Sequence, residues 1–229
     1  RRHAEQAGSA ARRRRDLALR DRRHAGRRQA RGARALPARL HVAEPLPAGF
    51  LVQQLHRLPK GLVLDVASGS GRHALLLASL GYEVEALDRD TQALDQLSAT
   101  ARTRRLTGIT TRTIDLEPSA SDELDLGHAR YDVILVFFYL ARPLIPHLLD
   151  ALKPGGVLLY ETFTIDNYFQ HRHPKRWEFC LAHNELLRLT SNLRVLHYDE
   201  GLHEGHNPSE STYTAQLLAQ KPLRSEIAT

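Results

Sequence analysis

Asp65 stands inside an apolar run, Gly61-Leu62-Val63-Leu64-Asp65-Val66, two residues ahead of the turn Ala67-Ser68-Gly69-Ser70-Gly71. A carboxylate in a buried strand is costly unless it is paired. Asp65 therefore needs a cation or backbone N–H groups beside it. Glycines after a strand let the chain turn sharply and let a ligand approach where a side chain would block it. Asp88 ends a second candidate strand, Tyr82 to Asp88, 17 residues beyond Gly71, and Asp115 ends a third, the alternating Ile109 to Asp115. At the first of these tips a carboxylate can accept hydrogen bonds from two ribose hydroxyls; at the second it lies near where an adenine amino group would be. Acidic groups at three successive strand ends around a glycine bend suit a ligand with a ribose, an adenine and a cationic amine. In open α/β sheets such a ligand sits beyond the carboxyl ends of the strands.

Those carboxylates need strands to hold them. Gly61 to Val66 reads as a short buried strand. Arg72 to Leu80 reads as a helix carrying Leu75, Leu76, Leu77 and Leu80, closed by Gly81. Tyr82 to Asp88 is the second strand, and Asp90 can cap a helix with Leu94, Leu97 and Ala101 on one face. Ile109 to Asp115 and Tyr131 to Phe138 are the third and fourth strands. A helix around Leu144 to Leu152, a turn at Lys153-Pro154-Gly155-Gly156 and a strand from Val157 to Phe163 follow. This alternation predicts parallel strands joined by right-handed crossovers. Residues 193–200 and 212–220 are two further strands, and the eleven residues between them are too few for a helical crossover, so they should pair antiparallel. The expected fold class is α/β: a doubly wound, mostly parallel seven-stranded sheet with an antiparallel C-terminal strand.

The chain has 229 residues, 42% apolar and 25% charged, which suits one packed domain with an appendage. Residues 1–35 hold 13 arginines and three acids, a net of +10 against +6 for the whole chain, so residues 36–229 sum to −4. The first segment is Arg/Ala low-complexity sequence whose few leucines cannot build a core. It is expected to be disordered or artefactual, and residues 36–229 to form the domain. A nucleic-acid or acidic-lipid arm and a transit peptide are the other readings of that segment. There is no methionine, so the sequence is expected not to be a complete start-to-stop product. A single cysteine, Cys180, excludes an internal disulfide framework and points to a cytoplasmic setting. No apolar run approaches the roughly 18 residues of a membrane helix.

Val63-Leu64-Asp65-Val66-Ala67-Ser68-Gly69-Ser70-Gly71 resembles motif I of the class I S-adenosylmethionine-dependent methyltransferases. Leu152-Lys153-Pro154-Gly155-Gly156 resembles the turn those enzymes place before their fifth strand. The sequence is most similar to the tellurite-resistance-type branch, through Ala43-Glu44-Pro45 leading to Phe50-Leu51, through Gly71-Arg72, and through the closing Ala219-Gln220-Lys221-Pro222. The resemblance covers about residues 41–222. It implies a Rossmann-like methyltransferase fold, S-adenosylmethionine as cofactor, and methyl transfer to a small-molecule acceptor. It also implies that Asp65 orients the amine of the methionine moiety, while Ala67, Ser68, Gly69 and Gly71 pass beneath methionine and ribose, followed by Arg72. Asp88 would hold the ribose hydroxyls with Arg89 beside the adenine, Asp115 and Leu116 would line the adenine pocket, and Phe137 would face the sulfonium. Ala67 departs from the glycine usual in the family; its methyl group restricts φ and is expected to weaken binding or shift the turn.

A sulfonium donor is already activated. The protein must chiefly align an acceptor at about 3 Å, exclude water, and supply a base where the acceptor is protonated. Neither an oxyanion hole nor a metal is required. The catalytic candidates follow the fourth and fifth strands: Tyr139, Arg142, Glu161 and His171, with Tyr160 and the stretch Tyr168 to Trp177 nearby. Glu161 or His171 would be the base; Arg142 or Arg172 would position an anionic acceptor. Val136-Phe137-Phe138-Tyr139 is not the Asn/Asp-Pro-Pro-aromatic tetrapeptide of nucleic-acid amino methylators, and Cys180 is in no Pro-Cys pair and reads as a structural thiol. His171, His173, His197, His203 and His206 form no HxxxH pair and have no partner cysteines, so no metal site is expected. The acceptor is then expected to be a thiol, a metalloid oxyanion or a carboxylate, with no membrane partner. Two other readings stand beside this one. Gly69-Ser70-Gly71-Arg72-His73-Ala74 fits a loose dinucleotide fingerprint, as in an NAD(P)-dependent oxidoreductase, although no tyrosine is followed four residues later by lysine. An RNA-binding protein using the Arg-rich arm is the second.

Overall fold

The computed structural model describes residues 45–117, 124–204 and 210–223. The Arg-rich residues 1–35, the Ala43-Glu44 pair and His206 lie outside the described residues. The chain divides into Arg1–Val42 and Ala43–Thr229, a boundary a few residues beyond the expected one, and every described residue belongs to the second unit.

Apolar runs make the strands β1 (Leu62–Val66), β4 (Tyr131–Phe137) and most of β5 (Leu152–Phe163), while β2 (Glu83–Asp88) and the Thr-rich edge strand β3 (Ile109–Thr113) carry polar residues as well. Strands β6 (Arg194–Glu204) and β7 (Ser211–Gln220) close the sheet. The helices are α1 (Gly49–Gln54), α2 (Arg72–Ser79), α3 (Thr91–Thr103), α4 (Ile145–Ala151), α5 (Ile165–His171) and α6 (Glu185–Leu189). One seven-stranded sheet runs β3-β2-β1-β4-β5-β7-β6. The first five strands are parallel and β7 is antiparallel to both β5 and β6, as expected. The strand order reverses between β1 and β4, which opens a crevice at their carboxyl ends.

Strand side chains alternate between faces, and the alternation divides the core. Leu64, Val66, Ile134, Val136 and Leu158 pack with Leu148 of α4 and Leu186 of α6 on one face. Val63, Val133, Leu135 and Leu159 pack with Leu75 and Leu77 of α2 and Leu94 and Leu97 of α3 on the other. Asp65 shares the parity of Val63 and so turns toward α2. Asp90 caps α3, its carboxylate accepting from the Gln92 and Ala93 amides. Among the described residues no helix is long and apolar enough to cross a membrane.

Three expectations need correction. The Lys153-Pro154-Gly155-Gly156 turn is a bulge inside β5, four residues lying opposite the single Asp132 of β4. Gly155 reaches φ +80°, its N–H donates to Lys221 O, and Gly156 O accepts from Lys221 N, so the bulge stays tied to the sheet. Lys221 also places its ammonium on the Leu149 and Leu152 carbonyls at 2.7 Å, capping α4. The third strand ends at Thr113, because Ile114 donates to Asp88 O and the chain then leaves the ladder before Asp115. The last two strands are longer than their apolar cores suggest, which shortens the gap between them to residues 205–210.

Candidate active site

The β1 tip sets the first feature of the crevice. Asp65 is 1% exposed. Its Oδ2 accepts from the Ala74 amide at 3.2 Å, in the first turn of α2. Burial pushes its pKa up to about 7, with the Ala74 amide and the Arg72 charge only partly offsetting that cost and Asp88 adding to it. Sequence reading passed over His73, the next buried group. Its Nε2 accepts from the Ala48 amide at 3.3 Å, so the proton sits on Nδ1, which lies 4.0 Å from Asp65 Oδ1. The ring packs on Phe137 at 4.3 Å between centroids. Arg72 Nη1 donates to Leu46 O at 3.0 Å. Neighbouring residues of α2 thus hold the strap Pro45–Ala48 against the crevice. The signal available for His73 was its place one residue inside the helix that follows the turn.

The glycine bend follows. Ala67, Gly69 and Gly71 all take left-handed φ, at +54°, +54° and +76°. Gly69 N donates to Asp88 Oδ2 at 2.7 Å, and Asp90 N to Asp88 Oδ1 at 2.9 Å. One carboxylate therefore joins the bend to the start of α3. Two cavities flank Ala67. One, of about 220 Å³, is lined by Asp88, Arg89, Asp115, Leu116, Glu117 and Tyr139. The other, of about 270 Å³, is lined by Asp65, Ser68, Gly69, Arg72, Phe137 and Phe138, with Pro45 of the strap. Ser68 Oγ is buried there with no hydrogen-bond partner among the described residues. A Cβ placed on Gly69 would meet nothing within 4 Å among them. These features fit S-adenosylmethionine. The first cavity offers carboxylates and the apolar Leu116 to an adenosine; the second offers a partly compensated carboxylate and an orphaned hydroxyl to an amino-acid end. Of the residues expected around one ligand, Asp65, Ala67, Ser68, Gly69, Arg72, Asp88, Arg89, Asp115, Leu116 and Phe137 line these two cavities, whereas Gly71 lines neither and lies against Leu97 of α3. Phe138, also missed, stands beside Phe137 at φ +56° with the Arg72 guanidinium 5.6 Å from its ring centroid.

The acceptor candidates separate. Tyr139 Oη donates to Glu117 Oε1 at 3.1 Å, and Tyr139 lines the Asp88 cavity. It borders the Asp88 cavity and not the Asp65 cavity. Burial, then Glu117, holds its pKa above the ordinary tyrosine value. Arg142 is a clamp. Its Nε and Nη2 bind both oxygens of Glu185 at 2.6 and 2.9 Å, Nη1 donates to Glu178 O and Nη2 to Cys180 O. This set engages three of its nitrogens in holding residues 178–185, which leaves an acceptor little to bind. Cys180 beneath it is buried, and burial pushes its thiol up to about 11, in keeping with a structural role. His171 is exposed at the end of α5, 6.0 Å from the Tyr213 ring, and lines neither cavity. Glu161 is the candidate that stays near the crevice. It is 2% exposed, and its backbone O accepts from Phe138 N. Its Oε1 accepts from Thr214 Oγ1 at 3.1 Å and Gln216 Nε2 at 2.9 Å, both from β7. Burial raises its pKa, while Gln216, Thr214, His203 and Arg72 pull it down. His203 extends this network, with Nδ1 2.8 Å from Thr214 Oγ1 and Nε2 3.4 Å from Asp199. Among the described residues no group of three His, Cys, Asp or Glu could hold a metal ion.

A family model described as tellurite resistance protein TehB matches residues 51–217. The probable S-adenosyl-L-methionine-dependent methyltransferase TehB of Haemophilus influenzae is 29% identical over 157 residues, which are 65% of this chain and 51% of that protein. Protein-L-isoaspartate O-methyltransferase 2 of Rhodopseudomonas palustris is 30% identical over 118 residues, 52% of each chain. The chain thus spans about half the length of these curated relatives. Among solved structures, TehB from Haemophilus influenzae superposes with a TM-score of 0.63 at 25% identity, over 76% of this chain and 62% of that one. An S-adenosylmethionine-dependent methyltransferase from Methanosarcina mazei superposes with a TM-score of 0.60 at 19% identity, over 74% and 97%, which bears on the fold alone.

Ala67 is the one departure from glycine in the bend. Left-handed φ costs an L-residue roughly 1–2 kcal/mol, more than the roughly 0.4–1 kcal/mol of unfolded-chain entropy that alanine saves over glycine. Ala67→Gly is therefore expected to raise the melting temperature. A fall would mean that packing of the Ala67 methyl group outweighs the strain.

Proposed function

This chain belongs to the TehB family of S-adenosylmethionine-dependent methyltransferases, and on that premise we propose that it transfers a methyl group from S-adenosylmethionine to a small-molecule acceptor. The reading is carried by one observation. Asp65, buried with its pKa raised to about 7, faces a cavity that also holds the orphaned Ser68 hydroxyl, beside a second cavity edged by Asp88 and Asp115. When bound, S-adenosylmethionine would supply an activated, electrophilic methyl group.

The residues then divide the work. Asp65 takes the ligand ammonium, and Ser68 Oγ gains a partner. Asp88 presents its carboxylate to the ribose hydroxyls while keeping the bend closed through Gly69 N. Asp115 and Leu116 border the adenine, with Tyr139 and Glu117 as the far wall. Phe138 and Arg72 stand at the amino-acid end, and the strap from Pro45 to Ala48 excludes water from it. Glu161 accepts the acceptor's proton where there is one, and Thr214, Gln216 and His203 hold its carboxylate. We assign the methyltransferase domain to residues 36–229. The nicotinamide reading loses its support, since the family match accounts for the same glycine bend.

Titration calorimetry with S-adenosylhomocysteine and with NAD tests the assignment directly. Binding of the first and not the second is expected; the reverse would overturn it. With S-adenosylmethionine, affinity should rise with pH toward about 7, because burial pushes the Asp65 carboxyl up to about 7 and only its charged form pairs with the ammonium, and should fall again above about 8 as the ligand's own α-ammonium loses its proton. Proton release on binding at pH 6, read from buffers of different ionisation enthalpy, should vanish in Asp65→Asn. Asp88→Ala should weaken donor binding by about 1–3 kcal/mol through lost ribose hydrogen bonds; unchanged affinity would remove Asp88 from the site. Glu161→Gln should lower methyl transfer by roughly 10²–10⁴-fold on a protonated acceptor while leaving donor affinity intact. Tellurite, a simple thiol and an aromatic acid are the acceptors to assay, and retained turnover in that variant would exclude Glu161 as the base.

A further inference from the structure

The chain between β5 and α6 leaves the sheet and returns to the same point. Thr164 and Leu181 form an isolated bridge. Ile165 N donates to Leu181 O at 2.8 Å, and Leu181 N to Phe163 O at 2.9 Å. Residues 165–180 are therefore an excursion with tied ends, of the size of a compact Ω-loop. Asn167 fixes it from within: fully buried, it donates from Nδ2 to His173 O at 2.7 Å and accepts at Oδ1 from Tyr213 N at 2.9 Å. The loop is anchored, yet its outer side chains are not packed. Phe169 is 61% exposed, Trp177 58% and Phe179 37%. Burying one such side chain stabilises by roughly 1.5–3 kcal/mol, so three exposed rings in one short loop forgo a substantial gain.

Cations are interleaved with these rings. Arg172, Lys175 and Arg176 are all exposed. The Arg172 guanidinium lies 5.3 Å from the Tyr168 ring centroid and that of Arg176 4.9 Å from the Phe179 centroid, which holds both charges on aromatic faces. Two acids lie in the same stretch: Glu178 pairs with Arg176 Nε at 3.7 Å and Asp166 with His183 at 2.9 Å, so three cations against two acids leave residues 165–180 with a net charge of +1. Ring contacts connect the loop to the crevice. Phe138, which lines the amino-acid cavity, lies 5.2 Å from Phe163, and Phe163 lies 4.9 Å from His173.

We propose that residues 165–180 form the docking surface for the methyl acceptor, and that the acceptor carries an anionic group on a flat apolar body, as an aromatic acid does. The inference rests on the methyltransferase reading and names the substrate class of that site. Arg172 and Arg176 receive the anion, and the exposed rings receive the flat body. A bare oxyanion would leave the rings in water, and a neutral aromatic would leave the guanidinium groups unmatched. A single-stranded nucleic acid shares both features, but its binding uses a basic groove that follows several nucleotides, whereas these three cations sit within five residues of chain.

Trp177 is the only tryptophan in the chain, so its emission reports from the loop itself. The full chain is titrated with 2-naphthoate, with 2-naphthylmethylammonium, with tellurite and with oligo(U), while S-adenosylhomocysteine binding is followed separately by calorimetry. Saturable quenching by 2-naphthoate is expected, with binding of the ammonium analogue weaker by about tenfold or more, the effect of one charge-assisted contact. The double variant Arg172→Ala/Arg176→Ala should weaken 2-naphthoate binding by a similar factor and keep its S-adenosylhomocysteine affinity, which also shows that it is folded. Equal binding of the two naphthyl probes, tighter binding of tellurite or oligo(U), or an unaffected double variant would each overturn the proposal. Failure of the methyltransferase reading would show instead as loss of S-adenosylhomocysteine binding in the unaltered chain.

Discussion

Asp65 is a carboxylate held almost out of reach of water at the end of a parallel strand, with one backbone amide as its hydrogen-bond donor. Low dielectric makes such a group expensive in its charged form. The surrounding structure divides that cost among weak partners. Arg72 contributes charge from the first turn of α2, and His73 turns its Nδ1 toward the carboxylate from just beyond hydrogen-bonding distance. Those two residues also hold the strap, so the electrostatics of a strand tip and the cover over the cavity depend on the same helix turn. In the function proposed above, a ligand cation completes what the protein leaves partly compensated, and binding energy then comes from a cost accepted during folding.

Much of this arrangement was legible in the chain. Apolar runs, glycine ends and the Asp90 cap located the parallel strands and α3, because each signal is local and the crossover rule then restricts the topology. Asp88 could be placed because it ends β2, and strand ends near the reversal of strand order have a geometric meaning; Asp115 reads as the end of the third strand, but β3 stops at Thr113 and Asp115 reaches the cavity from the loop that follows. The errors share a cause. Arg142 has the residue type of an anion clamp, but its partner Glu185 lies 43 residues further on and is visible only once residues 178–185 fold back. Tyr139 was placed by chain position after β4, while the direction of its ring follows from Glu117 after β3. The Lys-Pro-Gly-Gly bulge looks like a turn because its residues are turn formers; Gln220 and Lys221, from the far end of the domain, and the Lys153–Asp132 pair keep it in the sheet.

Glu161 shows the same limit from the other side. A glutamate late in a buried strand is conspicuous, yet nothing local reveals whether it is satisfied. Its partners, Thr214 and Gln216, come from a strand more than fifty residues later, and His203 from the strand beyond that. The exposed rings of residues 165–180 are legible in type but not in meaning. Their significance depends on Asn167, which is buried and anchors the loop against β7.

The position of β7 carries a consequence for how the molecule comes into being. It is the last strand in chain order, yet it lies between β5 and β6 in the sheet. Until it inserts, β5 presents an unpaired edge and β6 has no neighbour to join. Non-local closures of this kind are slow to form and leave sticky intermediates. On a ribosome the half bearing the glycine bend can be native-like while the half bearing Glu161 still awaits β7. On the function proposed above, nascent chains would then acquire an affinity for the cofactor before any capacity to use it.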